Sequence, residues 1–377
     1  MTESSAPGMP TCPVYEQCGG CRTLHLSDTQ RTDRFTSRLR SAIGRITWEG
    51  DRPQPTIAVP TPDSMLRIRV ALGLVGEGSQ AGATLPARAG GTVAIETCPA
   101  TAPAAMAIAM ATLAAIRRVD AKGITSILVH LASDHARALV TMVSESSRVY
   151  RAQDIAREAI AAGASAVATN QREPARRVLG RRSVPVSGTF PFVDEIDGLR
   201  VRVLATTPFD ANHDSAARTC RHLVELGEPA GRRMVVVRAG NGLSALALAR
   251  AGATVATIDD RPEIAHEAHG SYVDSGLAIR PVEGRTTDAV ASLSGERIDS
   301  VVLEAPRSGT DPDQLAPIVR LIAPARILVV ARTFDALAHD LGALGEFGYR
   351  GAGLRAHLAD PFTGDPVLVA RVDRVRN

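Results

Sequence analysis

The second half of this chain alternates short apolar runs with helical segments, and the alternation begins near Phe209. The apolar runs are MVVVRAG, TVATIDD, IRPVEG, IDSVVLEAP, RILVVAR and a closing PVLVARVDRV. One of the intervening helices reaches Arg250, and another opens at Pro262. Nearly continuous apolar strands between helices predict a mostly parallel sheet that is covered on both faces. The expected fold is a Rossmann-like α/β domain, in which ligands bind at the carboxyl ends of the strands.

The first half has a different pattern. A polar helix, roughly residues 28–46, precedes the strand-like runs MLRIRVALGLV, ITSILVHLA and ARALVTMVS, which turn residues separate as in an α+β domain. A hairpin-like stretch, TFPFVDEIDGLRVRVL, ends near Thr206. A chain of 377 residues exceeds what one compact core usually holds. We therefore predict an N-terminal α+β domain of residues 1–205 and a Rossmann-like domain of residues 206–377.

Composition argues against a membrane or secreted protein. The first residues, MTESSAPGMPTCP, lack the charged-then-apolar pattern of a signal peptide. The longest uncharged stretch, TAPAAMAIAMATLAAI, is too short to span a bilayer and predicts a buried helix that opens at Pro103. The net charge of +3 does not by itself indicate a nucleic-acid partner. We expect a cytoplasmic protein, and infer neither a membrane nor an obligate protein partner.

Four cysteines form a candidate metal site. Cys12, Cys18 and Cys21 lie in CPVYEQCGGC, and Cys98 follows in ETCP. Clustered thiolates in an intracellular chain usually hold a metal centre rather than a disulfide. Four thiolates can bind zinc or an iron–sulfur cluster, and the spacing alone leaves both open. The fifth cysteine, Cys220, lies outside any motif that would use it as a nucleophile, and we expect it to pack as a small apolar side chain.

A glycine turn follows the first strand of the second half. The run MVVVRAG leads through Gly240, Asn241 and Gly242 into a helix, so the backbone can approach a ligand closely at the helix N-terminus. The next strand ends in Asp259, where an acid can accept hydrogen bonds from ribose hydroxyls. An ordinary tight turn would also use these glycines. Strand, glycines, helix and terminal acid together favour a nucleoside-type ligand.

Several motifs together resemble the uracil-C5 RNA methyltransferase family. CPVYEQCGGC followed by RTLHLSDTQ is similar to its cluster-binding segment, and PFDANHDSA resembles its FFQVN, with Phe209 and Asn212 kept. EAPRSG resembles its DPPRxG, LVVARTFDALAHDL its YVSCNPATLARDL, and ADPFTGDPVLVARV its closing DMFPHTxHVE strand. The match is collinear over nearly the whole chain. The chain resembles a shorter subgroup of the family, whose members begin directly at the cysteines and lack the usual N-terminal oligonucleotide-binding barrel.

This resemblance implies two cofactors and a partner. Family members use S-adenosylmethionine, and many hold a [4Fe-4S] cluster on four cysteines. The positions Cys12, Cys18, Cys21 and Cys98 match those ligands, so the resemblance favours an iron–sulfur cluster over zinc. It also implies RNA, either tRNA or rRNA, as the partner.

The catalytic positions of the family depart from its pattern here. In the family a Cys thiolate adds to C6 of uracil and a Glu removes the proton from C5. Matching the motifs places Arg332 at the nucleophile position and Val369 at the position of the base. Arginine stays protonated and valine carries no ionisable group. The sequence therefore predicts no residue for either step.

The cofactor pocket departs less completely. Gly240, Gly242 and Asp259 match the family, whereas Arg238 replaces an aromatic residue, Asp210 the family Gln, and Glu304 the Asp of DPPR. S-adenosylmethionine binding is compatible with these changes, and so is weaker or altered binding. The candidate cofactor-binding residues are Asp210, Arg238, Gly240, Gly242, Asp259 and Glu304.

Two arginine-rich segments are candidate RNA contacts: the helix after the cysteines and the run REPARRVLGRR. The alternative is a solvated face in a chain that uses Arg throughout. Aromatic residues, at 3%, offer few platforms for stacking bases. The family resemblance favours RNA. The arginines of the run are Arg172, Arg176, Arg177, Arg181 and Arg182.

Three hypotheses follow. The first is a pseudoenzyme that binds RNA, and S-adenosylmethionine with it. The second is an active methyltransferase directed to an atom that needs no cysteine adduct, with Glu304 or Asp210 as a base. The third, a conventional uracil-C5 enzyme with its nucleophile elsewhere, is weakest, because no other Cys follows the adenosyl motif. Joint loss of nucleophile and base favours the first.

Overall fold

The structure is a computed structural model that describes residues 11–50, 57–58, 66–173 and 179–375. The helices are α1 (Asp28–Ile43), α2 (Pro103–Arg118), α3 (Ala152–Ala161), α4 (His213–Gly227), α5 (Leu243–Arg250), α6 (Pro262–Ser275), α7 (Thr286–Ser292), α8 (Pro312–Pro317) and α9 (Phe334–Glu346). The strands are β1 (Ile57–Ala58), β2 (Arg69–Val75), β3 (Gly82–Pro86), β4 (Thr92–Ala94), β5 (Ile124–Leu131), β6 (Ala138–Ser144), β7 (Ala166–Gln171), β8 (Ser183–Gly188), β9 (Val193–Ile196), β10 (Leu199–Arg202), β11 (Arg233–Val237), β12 (Thr254–Ile258), β13 (Ile279–Val282), β14 (Ser300–Glu304), β15 (Arg326–Ala331), β16 (Tyr349–Asp360) and β17 (Asp365–Arg374).

The chain forms two compact units. The first contains Met1–Leu26, Thr61–Glu195 and Arg202–His213, and the second contains Ser27–Pro60, Ile196–Val201 and Asp214–Asn377. A single boundary at residue 206 does not describe this division, because α1 belongs with the C-terminal residues. The physical reason is the apolar face of α1: the rings of Phe35 and Phe334 meet edge to face at 5.2 Å.

The first unit is built on a seven-stranded sheet in the order β4-β3-β2-β5-β6-β7-β8. All its strand pairs are antiparallel except β6 with β7, which run parallel. Between these two strands the chain passes through α3, as a parallel connection requires. Helix α2 begins at Pro103, as predicted, and buries Ile108, Leu113 and Ile116. The Ala-rich, uncharged segment is therefore a core helix of an α+β unit.

The second unit contains an eight-stranded sheet in the order β1-β16-β17-β15-β14-β11-β12-β13. The strands β15, β14, β11, β12 and β13 are parallel, while β17 is antiparallel to both of its neighbours. Successive strands extend from β11 to one side and then, from β14, to the other, so the chain reverses direction beside β11. A topological switch point of this kind is where open α/β sheets bind ligands. The predicted Rossmann-like α/β fold is confirmed.

Two local predictions differ from the structure. Helix α1 ends at Ile43 rather than near residue 46. At its N-terminus a capping box forms, in which Ser27 and Gln30 exchange hydrogen bonds. Strand β16 carries no apolar run of the kind that marks the other strands, since its sequence YRGAGLRAHLAD includes two glycines and two arginines. It forms because it pairs along its length with β17.

Among the described residues, no helix combines the length and hydropathy needed to cross a bilayer.

Candidate functional site

A cavity of about 670 Å³ opens at the carboxyl ends of β11, β12 and β13. Its size is typical of a small-ligand pocket. Gly240 and Asp259 line it, as does Arg285. Two histidines of α6, His266 and His269, line it as well. Their position one helical turn apart, directly after the strand that ends in Asp259, was the signal that could have placed them here.

The glycine turn has a left-handed backbone at both of its glycines. Gly240 and Gly242 have φ angles of +59° and +81°, in the left-handed region that side chains rarely adopt. A Cβ at Gly242 would also lie 2.6 Å from Cε1 of Tyr272, a buried side chain that lines the cavity. Both the backbone angle and this close approach therefore require glycine at residue 242.

The Asp259 carboxylate is already engaged. Its Oδ2 accepts the Gly240 N–H at 2.9 Å, which fixes the acid to the glycine turn. The Arg261 guanidinium donates to both oxygens, from Nε at 2.8 Å to Oδ1 and from Nη2 at 2.6 Å to Oδ2. Paired, bidentate contacts of this kind are among the stronger hydrogen bonds in proteins. A ribose hydroxyl would have to share or displace the arginine, a competition that the sequence did not reveal.

Glu304 and Arg332 lie at the ends of neighbouring parallel strands. Glu304 is the last residue of β14, and its Oε1 accepts a hydrogen bond from the Ser244 hydroxyl. Arg332 directly follows β15, and its Nη2 lies 3.6 Å from Glu304 Oε2. A permanent cation therefore occupies the strand end at which the resemblance places the family nucleophile.

Val369, which the resemblance places at the position of the base, and Cys220, the remaining cysteine, are both buried. Val369 lies within β17 opposite Val330, with no exposed surface. Cys220 is buried in α4, where its Sγ lies 4.0 Å from the carbonyl oxygen of Leu243. The sulfur thus faces the first residue of α5 from inside the second unit and is not among the residues that line the cavity. It packs as the sequence indicated.

The remaining predicted cofactor residues are placed unevenly. Arg238 directly follows β11 in the left-handed region, at φ +62°, and its Nη1 lies 3.9 Å from Asp260. It does not line the cavity. Asp210 is buried in the first unit, whereas the other five candidates belong to the second.

The four predicted metal-ligating cysteines line a single pocket of the first unit, and none of them forms a disulfide. Burial raises the pKa of the Cys12 thiol, and neighbouring Cys98 and Cys18 raise it further. The Gly20 N–H points to Cys18 Sγ at 3.3 Å, and Arg67 Nη2 lies 3.7 Å from Cys21 Sγ.

The same guanidinium also donates to the Gly20 carbonyl at 2.6 Å, which anchors it beside the loop. Arg88 holds the loop from another direction by donating to the Cys21 carbonyl at 2.9 Å. N–H donors aimed at sulfur stabilise thiolates and the sulfurs of bound clusters. The donor set therefore fits a four-thiolate metal centre.

A cluster that sequence reasoning missed lies elsewhere in the first unit. Asp194 Oδ2 accepts hydrogen bonds from Nε2 of His130 at 2.9 Å and from Nε2 of His213 at 3.0 Å. Its other oxygen accepts the backbone N–H groups of Ser133 and Glu195 at 2.8 and 2.7 Å. The three side chains are far apart in sequence, and only His213 lies in a motif quoted above, PFDANHDSA, so the fold brings them together.

The candidate RNA contacts are partly outside the described residues, where Arg176 and Arg177 fall. Arg181 pairs with Glu173 at 3.6 Å. On α1 the side chains of Arg34 and Arg40 are exposed, while that of Arg38 stacks 4.7 Å from the centre of the Phe334 ring. The helix therefore buries its apolar face and presents arginines on the other.

An open, mostly parallel sheet with a glycine turn and a strand-end acid beside a cavity defines a protein of the class I methyltransferase fold. The tRNA (uracil-54, C5)-methyltransferase of Pyrococcus abyssi, solved in complex with S-adenosyl-L-homocysteine, has this fold: the TM-score is 0.75 at 17% identity, over 94% of this chain and 86% of that one. No protein-family model matches the chain.

Sequence relatives carry RNA methyltransferase names. An uncharacterized RNA methyltransferase of Clostridium acetobutylicum is 21% identical over 97% of this chain and 84% of its own length. The 23S rRNA (uracil(1939)-C(5))-methyltransferase RlmD of Shewanella sediminis is 24% identical over 90% of this chain and 76% of its length. A relative from Caldanaerobacter subterraneus, also named an uncharacterized RNA methyltransferase, is 26% identical over 53% of this chain.

The chain spans only 45% of the length of that Caldanaerobacter relative, and 34% and 36% of those from Gloeobacter violaceus and Thermotoga maritima. The resemblance to the uracil-C5 RNA methyltransferase family is confirmed.

Proposed function

We propose that this chain is a pseudoenzyme of the uracil-C5 RNA methyltransferase family, which binds RNA and an adenosyl ligand but does not methylate carbon 5 of uracil. The observation that carries the proposal is the ion pair between Arg332 and Glu304, 3.6 Å apart. It fills the strand ends where the family chemistry requires a thiolate.

The chemical argument rests on the weakness of carbon 5 as a nucleophile. Alkylation there needs a prior adduct at carbon 6, and the adduct needs a thiolate and then a base. Arg332 cannot lose its proton, and the buried Val369 has none to exchange. Cys220 faces a backbone carbonyl from within the core.

Binding of an adenosyl ligand is supported by the cavity, by the glycine turn and by Asp259. Gly240 lines the cavity beside Asp259, and Asp259 is the group that would accept hydrogen bonds from ribose. The Pyrococcus relative of similar fold holds S-adenosyl-L-homocysteine. S-adenosylmethionine would supply an electrophilic methyl group when bound.

For the cysteine pocket we propose a [4Fe-4S] cluster, with zinc as the alternative. The four sulfurs Cys12, Cys18, Cys21 and Cys98 would hold it, and the Gly20 N–H and the Arg67 guanidinium would donate to the sulfurs. The cluster would tie the cysteine loop to Cys98 and so stabilise a segment with little core of its own. A colourless, zinc-containing protein after anaerobic purification would decide for zinc.

For the partner we propose tRNA or rRNA, in line with the names of the relatives. The exposed arginines Arg34 and Arg40 of α1 offer phosphate contacts. Binding should weaken steeply as salt concentration rises, because phosphate contacts release counterions.

The deciding experiment combines two measurements. Titration calorimetry with S-adenosyl-L-homocysteine should show binding that the variant Asp259→Ala loses. Mass spectrometry of nucleosides from tRNA and rRNA, incubated with the protein and labelled S-adenosylmethionine, should show no 5-methyluridine. Formation of 5-methyluridine would overturn the proposal.

A second candidate is favoured by one observation, the Glu304 carboxylate held beside Ser244 at the end of β14. A methyltransferase acting on an exocyclic amine or a hydroxyl needs positioning and a base rather than an adduct. The same spectra distinguish it, because label would then appear in a methylated nucleoside other than 5-methyluridine.

A further inference from the structure

Three side chains of the first unit converge from separate elements. His130 lies on β5, Asp194 on β9, and His213 is the first residue of α4. One ligand atom from each, the two Nε2 atoms and a carboxylate oxygen, lies within 4.8 Å of the other two. Asp194 has no exposed surface, and the side chains of His130 and His213 are 4% and 15% exposed.

We propose that His130, Asp194 and His213 bind a divalent transition-metal ion, with Zn²⁺ as the best match to two imidazoles and one carboxylate. Nitrogen and oxygen donors of this kind suit zinc and its first-row neighbours. Three protein ligands leave a coordination position open. The partly exposed side of His213 is where water or a small ligand would occupy it. This inference is independent of the cysteine pocket and of the proposed function.

The carboxylate is fixed in advance for this role. Asp194 Oδ1 accepts two backbone N–H bonds, from Ser133 and Glu195, so the side chain cannot rotate freely. Its Oδ2 consequently faces both imidazoles. Outer hydrogen bonds that orient a ligand in this way are a regular feature of metal sites. Without a metal, Asp194 Oδ2 accepts hydrogen bonds from the Nε2 atoms of His130 and His213. A bound metal ion would lie between these three atoms in place of the two protons.

His130 also carries an atom that the hydrogen-bonded arrangement leaves unused. Its Nδ1 is buried and has no hydrogen-bond partner among the described residues. His130 and Thr141 line a small cavity of about 160 Å³. If the ring proton moved from Nε2 to Nδ1, a water in this cavity could accept a hydrogen bond from Nδ1. Freeing Nε2 is what metal binding requires.

One neighbouring charge opposes the ion. Burial lowers the pKa of His130, and the positive charge of the neighbouring Arg69 guanidinium lowers it further. Hydrogen bonds to the carbonyls of Thr207 and Ala205 hold this guanidinium in place. Asp194 is the only carboxylate in the group. We therefore expect weaker binding than at a comparable site without an adjacent cation.

The test compares metal content in the full chain. The variant His213→Gln keeps an amide that can donate to Asp194 but lacks a good zinc ligand. The control is His339→Gln, which removes another histidine that hydrogen-bonds an aspartate, Asp340, at 3.0 Å. After equilibration with Zn²⁺ and removal of free ions, we expect wild type and His339→Gln to hold one more ion per chain than His213→Gln. Equal content in all three overturns the proposal.

A second measurement covers the case in which His213→Gln does not fold. A Cys18→Ser variant weakens the thiolate pocket and leaves the histidine cluster intact. X-ray absorption at the zinc edge should show a first shell of nitrogen and oxygen for the ion that this variant retains. A shell of sulfur alone, or no retained ion, would contradict the site.

Discussion

The Arg332 guanidinium lies 3.6 Å from the Glu304 carboxylate, where β15 and β14 end side by side in the second unit. The resemblance places Arg332 at the family's nucleophile position and Glu304 at the Asp of its DPPR motif. The positive charge of Arg332 forms an ion pair with the carboxylate of Glu304, whose side chain is one methylene longer than that of aspartate. They therefore behave as a pair, and restoring one of them should not restore the chemistry.

The first prediction concerns Arg332→Cys. We expect this variant to form no 5-methyluridine, because Val369 still provides no base and the thiol replaces the partner of Glu304. Mass spectrometry of RNA treated with labelled S-adenosylmethionine checks it. Arg350→Cys, at an exposed arginine of β16, is the matched control for adding a thiol. Methylation of uracil by Arg332→Cys alone would show that a base exists after all.

The second prediction concerns Gly242→Ala. A methyl group there meets the Tyr272 ring at 2.6 Å and forces a left-handed backbone on a residue with a Cβ. We expect the free energy of unfolding to fall by roughly 2–4 kcal/mol, the sum of backbone strain and overpacking.

Gly276→Ala separates the two causes. Gly276 has a similar φ of +66° but no atom within 4 Å of the added methyl, so only about 1 kcal/mol should be lost. Urea unfolding of both variants gives the comparison. Equal losses would mean that the Tyr272 contact is not a constraint.

The third prediction concerns Arg261→Ala. Removing the guanidinium ends its competition with ribose for the Asp259 carboxylate, so affinity for S-adenosyl-L-homocysteine should rise roughly tenfold, about 1.4 kcal/mol. Arg297→Ala is the matched control, since Arg297 also pairs with an aspartate two residues away, Asp299, at 3.3 Å. Calorimetry measures both. A lower affinity in Arg261→Ala would mean that the arginine itself holds the ligand.

The fourth prediction concerns pH. Burial lowers the pKa of His357 to about 3, below its ordinary value near 6.5, so the folded chain keeps this imidazole neutral. Its contribution to stability is complete above pH 6.5 and is lost as pH falls toward 3. Below pH 6.5 the loss should approach about 1.4 kcal/mol per pH unit.

The variant His357→Gln isolates this effect. It removes the imidazole while an amide can still pair with the Ser215 hydroxyl, which lies 3.0 Å from His357 Nε2. The difference in unfolding free energy between pH 7 and pH 5 should shrink relative to wild type. His135→Gln, at an exposed histidine, should leave it unchanged. An unaltered difference in His357→Gln would assign the acid sensitivity to other groups.

The sequence predicted those parts of the fold whose cause is local. Continuous apolar runs identified β11, β12, β14 and β15, and Pro103 and Pro262 marked helix starts, because each signal acts within a few residues. The glycine turn was found for the same reason. The cysteine positions were recognised from their spacing and the family resemblance.

What the sequence did not reveal depends on residues far apart in the chain. The contact of Phe35 with Phe334 decides which unit holds α1, and no local pattern encodes it. The meeting of His130, Asp194 and His213 has the same character. Strand β16 was not predicted from the sequence, because its pairing with β17, rather than its own composition, makes it a strand.

The place of β17 in its sheet has a consequence for biosynthesis. This strand, Asp365–Arg374, is inserted between β15 and β16 and hydrogen-bonds to both. While a ribosome is still making the chain, β15 and β16 both lack that partner and present unpaired backbone groups. Nascent or prematurely terminated chains should therefore be prone to aggregate, and the sheet becomes complete only once its innermost antiparallel strand has emerged.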